Sequence, residues 1–340
     1  MKLILLCGTL TGILLLAWTS GCRDSSTTPN DDPSLSAPTV FIPLGILKSP
    51  RGIAVDSAGF VWVSDTYNDR ITRFTPDGSQ LLSLPGFTLP TGMGIDKSTN
   101  DVLAIVNGNT IVRINVQTEN PTIVSTITSG NINTSSSFDV ISRQQVNVIL
   151  LVQELGDIDG ATNGDIYVSC FDGGNENHVL RVRNGEATAV AFSRQQPDDS
   201  LDRGSKFLST DTFGTVYTAF VLPNAQQSNL VYPYVVSPGN VFSSHAFSGT
   251  VLSGGVKGAG IDQNGVLYVA DARTGSMEIL STVAEQRIDR LDIPPIQGMA
   301  EPVAWDIAVG RNGSVFVAVV DLLDTSHQLG VVLKYTRLNE

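Results

Sequence analysis

The residues from which catalysis or metal binding could be built are sparse. The histidines are His178, His245 and His327, and the cysteines are Cys7, Cys22 and Cys170. No histidine stands beside a serine or cysteine in a nucleophile motif, and their separation gives no metal-ligand spacing. Carboxylates are plentiful, but five of them recur in one local phrase. Asp56, Asp96, Asp159, Asp211 and Asp262 each open a turn, where an aspartate caps its own backbone. Gly59, Gly164, Gly214, Gly265 and Gly313 follow as the positive-φ turn residues. Asp65 and Asp271, each closing the next apolar run, are read as partners of neighbouring loops. Cys170 is read as a small buried hydrophobe, and His178 as a surface residue. No catalytic residue is assigned.

What varies between the copies of that phrase carries more information. The residue five before each turn is Arg51, Thr91, Glu154, Lys206, Lys257 and Trp305 in chain order. Converging cations with one carboxylate and one indole suit a small anion, held by charge-assisted hydrogen bonds and stacking. A slip of one residue in the weaker copies would bring in Phe207 for Lys206, or Asp306 for Trp305.

The elements that must position these residues are short strands. Residues 50–74, PRGIAVDSAGFVWVSDTYNDRITRF, give a strand, an Asp-x-x-Gly turn, an alternating second strand, a further turn and a third strand. The phrase recurs with turns at residues 56, 96, 159, 211, 262 and 310, which are 40 to 63 residues apart. Repeats of this length with several strands each predict propeller blades. The expected fold is therefore all-β, a six-bladed β-propeller. Residues 39–45 are strand-like and are expected to complete the last blade and close the ring, removing open sheet edges. Residues 128–145 are expected to be a polar surface loop. Residues 223–249, with Tyr232, Tyr234, Phe242 and Phe247, are expected to be face-forming loop material that could anchor a partner.

The chain has 340 residues, of which 41% are hydrophobic and 16% charged, and a net charge of −12. That composition is globular rather than disordered, and the acidic balance excludes a nucleic-acid partner. Residues 3–18 form an apolar run too short to span a bilayer, which reads as a secretory signal core. Thr19, Ser20 and Gly21 before Cys22 resemble a bacterial lipobox. That resemblance implies a lipoprotein signal peptide over residues 1–21, with Cys22 acylated. Residues 22–37 would then be a tether and residues 38–340 the propeller. Several acyl chains on one residue give stable anchoring. Arg23 in place of an acidic residue implies, by the same resemblance, transfer to the outer membrane facing the periplasm. The expected partners are the membrane, through the lipid, and a small ligand or a cell-envelope protein.

Residues 50–74 also resemble an NHL repeat, copies of which build six-bladed propellers. Related six-bladed proteins, the gluconolactonases and paraoxonase-like hydrolases, bind calcium through Glu, Asn and Asp at the leading ends of their inner strands. Of the six leading residues here, Glu154 alone matches that pattern. No cofactor is therefore expected, and calcium is the one that the resemblance would supply. The reading favoured on the residues is a lipid-anchored binding module; a calcium-dependent lactonase-like hydrolase or a lyase is the alternative.

Overall fold

The protein is described from a computed structural model covering residues 34–134, 137–140, 142–148, 150, 152–172, 177–193, 207–220, 230–237, 243–247, 250, 252, 253 and 255–338. The signal-peptide, lipid and tether expectations for residues 1–33, and Lys206, lie outside the described residues. No helix among those described is long and apolar enough to cross a membrane.

The first meander shows how the sequence makes its sheets. Strands Pro50–Val55, Val61–Asp65, Arg70–Phe74 and Gln80–Pro85 pair in order, all antiparallel. Successive side chains in a strand point to opposite faces. Ile53, Val55, Val61 and Val63 pack against Ala308, Phe316, Ala318 and Val332 of the last meander. Ala54, Trp62 and Ile71 pack on the other side, against Met93, Val102 and Ala104 of the next. Each sheet is thus a slab buried on both faces, and this is why its central strands are apolar throughout rather than alternating with charge.

The turn chemistry is as expected at four of the five aspartates. Asp56 Oδ1 accepts the backbone N–H of Ala58 and Phe60, and Oδ2 accepts Trp62 Nε1–H at 3.0 Å. Asp211 and Asp262 take the corresponding pairs of N–H groups. Asp96 takes the Ser98 N–H and pairs with Arg113. The five glycines all have positive φ, between 73° and 85°. Asp159 departs from this. The turn in its copy is opened by Ala161, whose N–H donates to Asp165 O and whose carbonyl accepts from Gly164.

The first strands of the meanders touch one another in chain order, Pro50–Val55, Met93–Asp96, Val152–Gly160, Leu208–Thr210, Val256–Ile261 and Pro302–Val309, and the last returns to the first. They meet almost backbone to backbone. A Cβ on Gly52 would lie 2.0 Å from Thr91 O, and one on Gly92 would lie 2.2 Å from Gly156 O.

These strands belong to a β-propeller, with corrections to three expectations. Four sheets stand as separate meanders of four or five strands, not six. The meanders beginning at Met93 and Val152 share one eleven-stranded sheet, through a parallel pairing of Asp96 with Gly160. Gly160 permits it, since a Cβ there would stand 2.6 Å from Asp96 Cα. Residues 128–145 are not simply a loop. Ile132–Asn133 and Ser137–Asp139 run parallel to the outer strand Glu186–Ser193, and Gln144–Val146 pairs with Ser137–Asp139. Phe138 and Val140 are buried there with Val190, Ala191 and Phe220, so the insertion covers a sheet edge. Within residues 223–249, Leu230–Ser237 and Ser243–Ala246 are strands, Phe247 is buried edge-on to Tyr217, and Phe242 lies outside the described residues. Near the other end, Thr39–Ile42 pairs antiparallel with Gly330–Tyr335.

Candidate functional site

The leading ends of the first strands enclose a cavity of about 50 Å³. Its lining includes Arg51, Thr91, Glu154, Lys257 and Trp305, which are five of the six residues selected from the sequence. That space suits a small ion or a few waters. Glu154 reaches it in spite of the misplaced turn in its copy. Ala161 puts Gly156, not Glu154, in the register of Arg51, but strand Val152–Gly160 is bulged between Leu155 and Ile158 and again near Glu154. A bulge re-aims side chains.

The cationic side of the cavity is built on aromatic rings. The Arg51 guanidinium lies 4.9 Å from the Trp305 ring and 5.4 Å from the Tyr67 ring, and it donates to Tyr67 Oη at 3.4 Å. Lys257 Nζ lies 5.8 Å from the same Trp305 ring. Tyr67 comes from the 3₁₀ turn Thr66–Asn68, and its other face stacks on His327 at 4.1 Å. The ring faces hold the cations in place by cation–π attraction. Arg51 Nε and Thr91 Oγ1 are buried without a hydrogen-bond partner among the described residues. Both are groups that a polar ligand could satisfy.

Of the two residues at the floor of the cavity, the sequence named Asp306, as the alternative to Trp305, and missed Asp157. Asp157 and Asp306 line it, both fully buried. They hold equivalent places, each four residues before its turn-opening residue, Ala161 or Gly310. Each carboxylate bridges two meanders. Asp157 accepts the N–H of Ile158 at 2.9 Å and of Leu208 in the next meander at 2.8 Å. Asp306 accepts Ile307 N–H at 2.8 Å and Ile53 N–H at 2.8 Å. Asp159 repeats the device, taking Gly160 N–H and Thr210 N–H, and adds an ion pair to Lys97 at 2.6 Å. Its role is that of an inter-blade tie, which corrects its reading as a turn former. Burial and the Asp306 carboxylate push the Asp157 carboxyl well above the usual carboxylate range, and burial does the same to Asp306. The signal that could have found the pair is their equivalence in the repeat, at the position where other copies carry Gly52, Gly92 and Gly258.

These residues do not fit a calcium ion. A hard cation wants several open oxygen ligands. Here two cations line the cavity, and all four oxygens of Asp157 and Asp306 are engaged by backbone N–H groups. Among the described residues, no cluster of three acidic, histidine or cysteine side chains is placed to hold a metal.

The remaining candidates resolve as packing. Asp65 accepts from Lys48 N–H, Asn68 and Arg70, and Asp271 from Ser253 and the N–H groups of Arg273 and Thr274. Cys170 is buried, and burial pushes its thiol pKa up, leaving it protonated. His178 is not on the surface: it is buried, stacked on Phe192 at 5.4 Å and 3.6 Å from Asp172.

Comparison with known proteins bears on the fold. The NHL repeat profile matches residues 47–74. No curated protein matches the chain in sequence. Among solved structures it is similar to a luciferin-regenerating enzyme, at 14% identity and a TM-score of 0.58 over 89% of this chain and 96% of that one. It is also similar to a gluconolactonase from Xanthomonas campestris, at 11% identity and a TM-score of 0.54 over 87% and 88%. A third is regucalcin from Agrobacterium tumefaciens, described as calcium-binding, at 12% identity and a TM-score of 0.52 over 88% and 95%. At these identities the likeness is one of fold: the chain carries an NHL repeat and folds as a β-propeller of the kind these proteins share.

Proposed function

We propose that this protein is a binding module that holds a small anion at the mouth of its propeller channel. The observation that carries the reading is the Arg51 guanidinium. It is held between the Tyr67 and Trp305 rings, with Lys257 on the same indole, at the rim of one cavity. An oriented guanidinium beside an ammonium presents charge-assisted donors to a carboxylate or phosphate. Thr91 and Glu154 in the same lining add a hydroxyl and an acceptor for the ligand's own polar hydrogens.

The reading includes an architecture and an address. The eleven-stranded sheet counts as two blades, making six, and the cyclic order of touching first strands supports that count. Thr39–Ile42 is the outer strand of the last blade and closes the ring, in line with its pairing to Gly330–Tyr335. A lipid on Cys22 holds the propeller at the outer membrane, facing the periplasm; the apolar run and the small residues before Cys22 support this.

The test is calorimetric titration of the full chain with glycolate, acetate and inorganic phosphate. Saturable binding by one of them, lost in the Arg51→Gln, Lys257→Gln double variant, is expected. Equal binding by parent and variant would overturn the reading. The competing reading, a calcium-dependent lactone hydrolase, draws on the fold shared with a gluconolactonase and on Glu154 in the cavity. It requires calcium to raise the melting temperature and to switch on lactone hydrolysis, and EDTA to abolish both.

A further inference from the structure

We propose that the propeller rests on a phospholipid bilayer by the face opposite its cavity. Phe213, Val283 and Leu338 are turned into the lipid, and the channel mouth is turned away from it. The proposal rests on the reading that Cys22 is acylated.

Strand polarity assigns each residue to an end. The cavity lies at the leading ends of the first strands, so the turn after each first strand lies at the trailing end. The second strand runs back, and the turn between third and fourth strands is again trailing. Phe213 is in the turn after the first strand Leu208–Thr210. Val283 is in the turn between the third and fourth strands Ser276–Ser281 and Gln286–Asp292. Leu338 follows Gly330–Tyr335, the third strand of the last meander. All three stand at the trailing face, where they are 80%, 63% and 61% exposed.

Contacts join the three into one strip across neighbouring meanders. Asp211, which opens the turn of Phe213, accepts from Tyr217 Oη at 3.2 Å, and the Tyr217 hydroxyl lies beside Thr282. Thr282, next to Val283, donates through its N–H and its hydroxyl to Gly265 O. Asp262, which opens that turn, is ion-paired at 3.0 Å with Arg337, next to Leu338. The fold does not ask for apolar side chains here. Where Phe213 stands, other copies carry Ala58, Asn163, Asn264 and Asn312, the small or polar residues that an exposed turn favours. Where Val283 stands, the second meander carries Gln117, two residues before a positive-φ glutamate in both turns. Exposed apolar side chains gathered in one patch mark an interaction site.

The course of the chain says what covers this strip. Leu338 N–H donates to Ser34 O at 2.8 Å, Ser36 N–H donates to Thr336 O at 2.8 Å, and Leu35 bridges to Arg337. The chain therefore enters the propeller at the trailing face, beside Leu338. Cys22 stands twelve residues before Ser34, a reach of at most about 43 Å. A lipid on Cys22 brings this face, not the mouth, first to the bilayer. Once the acyl chains are inserted, weak contacts of the strip with the same bilayer become effectively intramolecular. Asp211 and Asp262 lie on the strip, and Arg337 is paired to Asp262, so the contact is with apolar lipid rather than with anionic headgroups. The channel mouth then faces the aqueous compartment, and its ligand arrives from solution.

The test uses the full acylated chain on vesicles of phosphatidylcholine and phosphatidylethanolamine. An environment-sensitive fluorophore is placed on Phe213→Cys, on Val283→Cys or, as the control, on Leu323→Cys in the leading-end loop after strand Val315–Asp321. Cys170 is buried and stays unlabelled. Leu323 is as exposed as Val283, at 63%. Flotation with the vesicles reads the anchor, and the fluorophore reads the face. The expected result is that the chain floats, and that the labels at 213 and 283 shift to the blue and are quenched by lipids brominated on their acyl chains. The label at 323 should keep the emission that it has in water. A floating chain with no shift at 213 or 283, or with the shift at 323 instead, overturns the proposal and leaves the anchor standing. A shift at 213 and 283 that needs added envelope proteins overturns it in favour of a protein partner. A chain that does not float overturns the anchor and, with it, this proposal. All three labelled positions are exposed, and 213 and 283 report independently, so the outcome does not hang on one variant folding.

Discussion

Arg51 makes contacts that a lysine at the same place would not reproduce: a planar cation against two rings and a directed bond to Tyr67. Arg51→Lys keeps the charge and loses the fork and the stacking. It should weaken anion binding by about tenfold, the scale of one charge-assisted hydrogen bond, as read by calorimetry against the parent chain. The floor aspartates make a prediction about stability. Their folded pKa is raised above the ordinary value, so the folded state holds more protons than the unfolded state between those two values. Their contribution is fully present below about pH 4, where unfolded aspartates are also protonated. It is lost as pH rises through the raised folded pKa. Urea denaturation across that window should show falling stability, and Asp306→Asn should flatten the fall; a stability rising through the window contradicts the assignment. At this scale the sequence was legible where a residue acts alone in its own turn, as Asp56 does, and at the rim of the cavity. It was not legible in the ties that Asp157, Asp159 and Asp306 make, although Asp306 itself was named as the alternative to Trp305. Their partners are the backbone N–H groups of Leu208, Thr210 and Ile53, and nothing local in the sequence marks a bond to the next meander. His178 was misread for a related reason. Its polar neighbours suggest solvent, whereas strand Asn177–Arg183 turns it inward onto Phe192.

The first strands are held together by what their glycines lack. Gly92→Ala places a methyl 2.2 Å from Gly156 O, a clash that backbone must move to relieve. Overpacking of that kind costs about 1–3 kcal/mol; urea denaturation should report a loss of that size, and an unchanged midpoint would refute the close approach. The pairing of Thr39–Ile42 with Gly330–Tyr335 gives a second check. Ile42 is fully buried against Leu47, Phe316 and Val332, whereas Val40 on the same strand is 57% exposed. Ile42→Ala should cost about 2–5 kcal/mol and Val40→Ala much less; similar small effects would mean that the strand is not docked. Alternating apolar residues around Asp-x-x-Gly turns made the meanders readable from sequence. The insertion at residues 128–145 was not, because its apolar residues, Ile132, Phe138, Val140 and Ile141, are few among Ser, Thr and Asn, and the sheet edge that Phe138 and Val140 cover belongs to distant residues. The merged sheet was hidden likewise, since it depends on one contact between Asp96 and Gly160.

For the molecule as a whole, the feature that stands out is two cations brought together in an acidic chain. The chain has a net charge of −12, and Arg51 and Lys257 converge on one small cavity, both against the Trp305 ring. Such a site should bind less tightly as ionic strength rises, because the cavity mouth opens to solvent and screening acts there. The repeat made the β-propeller legible, and reading down equivalent positions of the copies found the cavity rim. Asp157 was missed because its copy, read with the turn at Asp159, was aligned two residues early. The central claim is that this cavity holds a small anion through Arg51 and Lys257. The most direct test is calorimetric titration of glycolate into the full chain and into the Arg51→Gln, Lys257→Gln double variant. Saturable binding by the parent that is lost in the variant is the predicted result, and equal binding by both, or none by the parent, would contradict it.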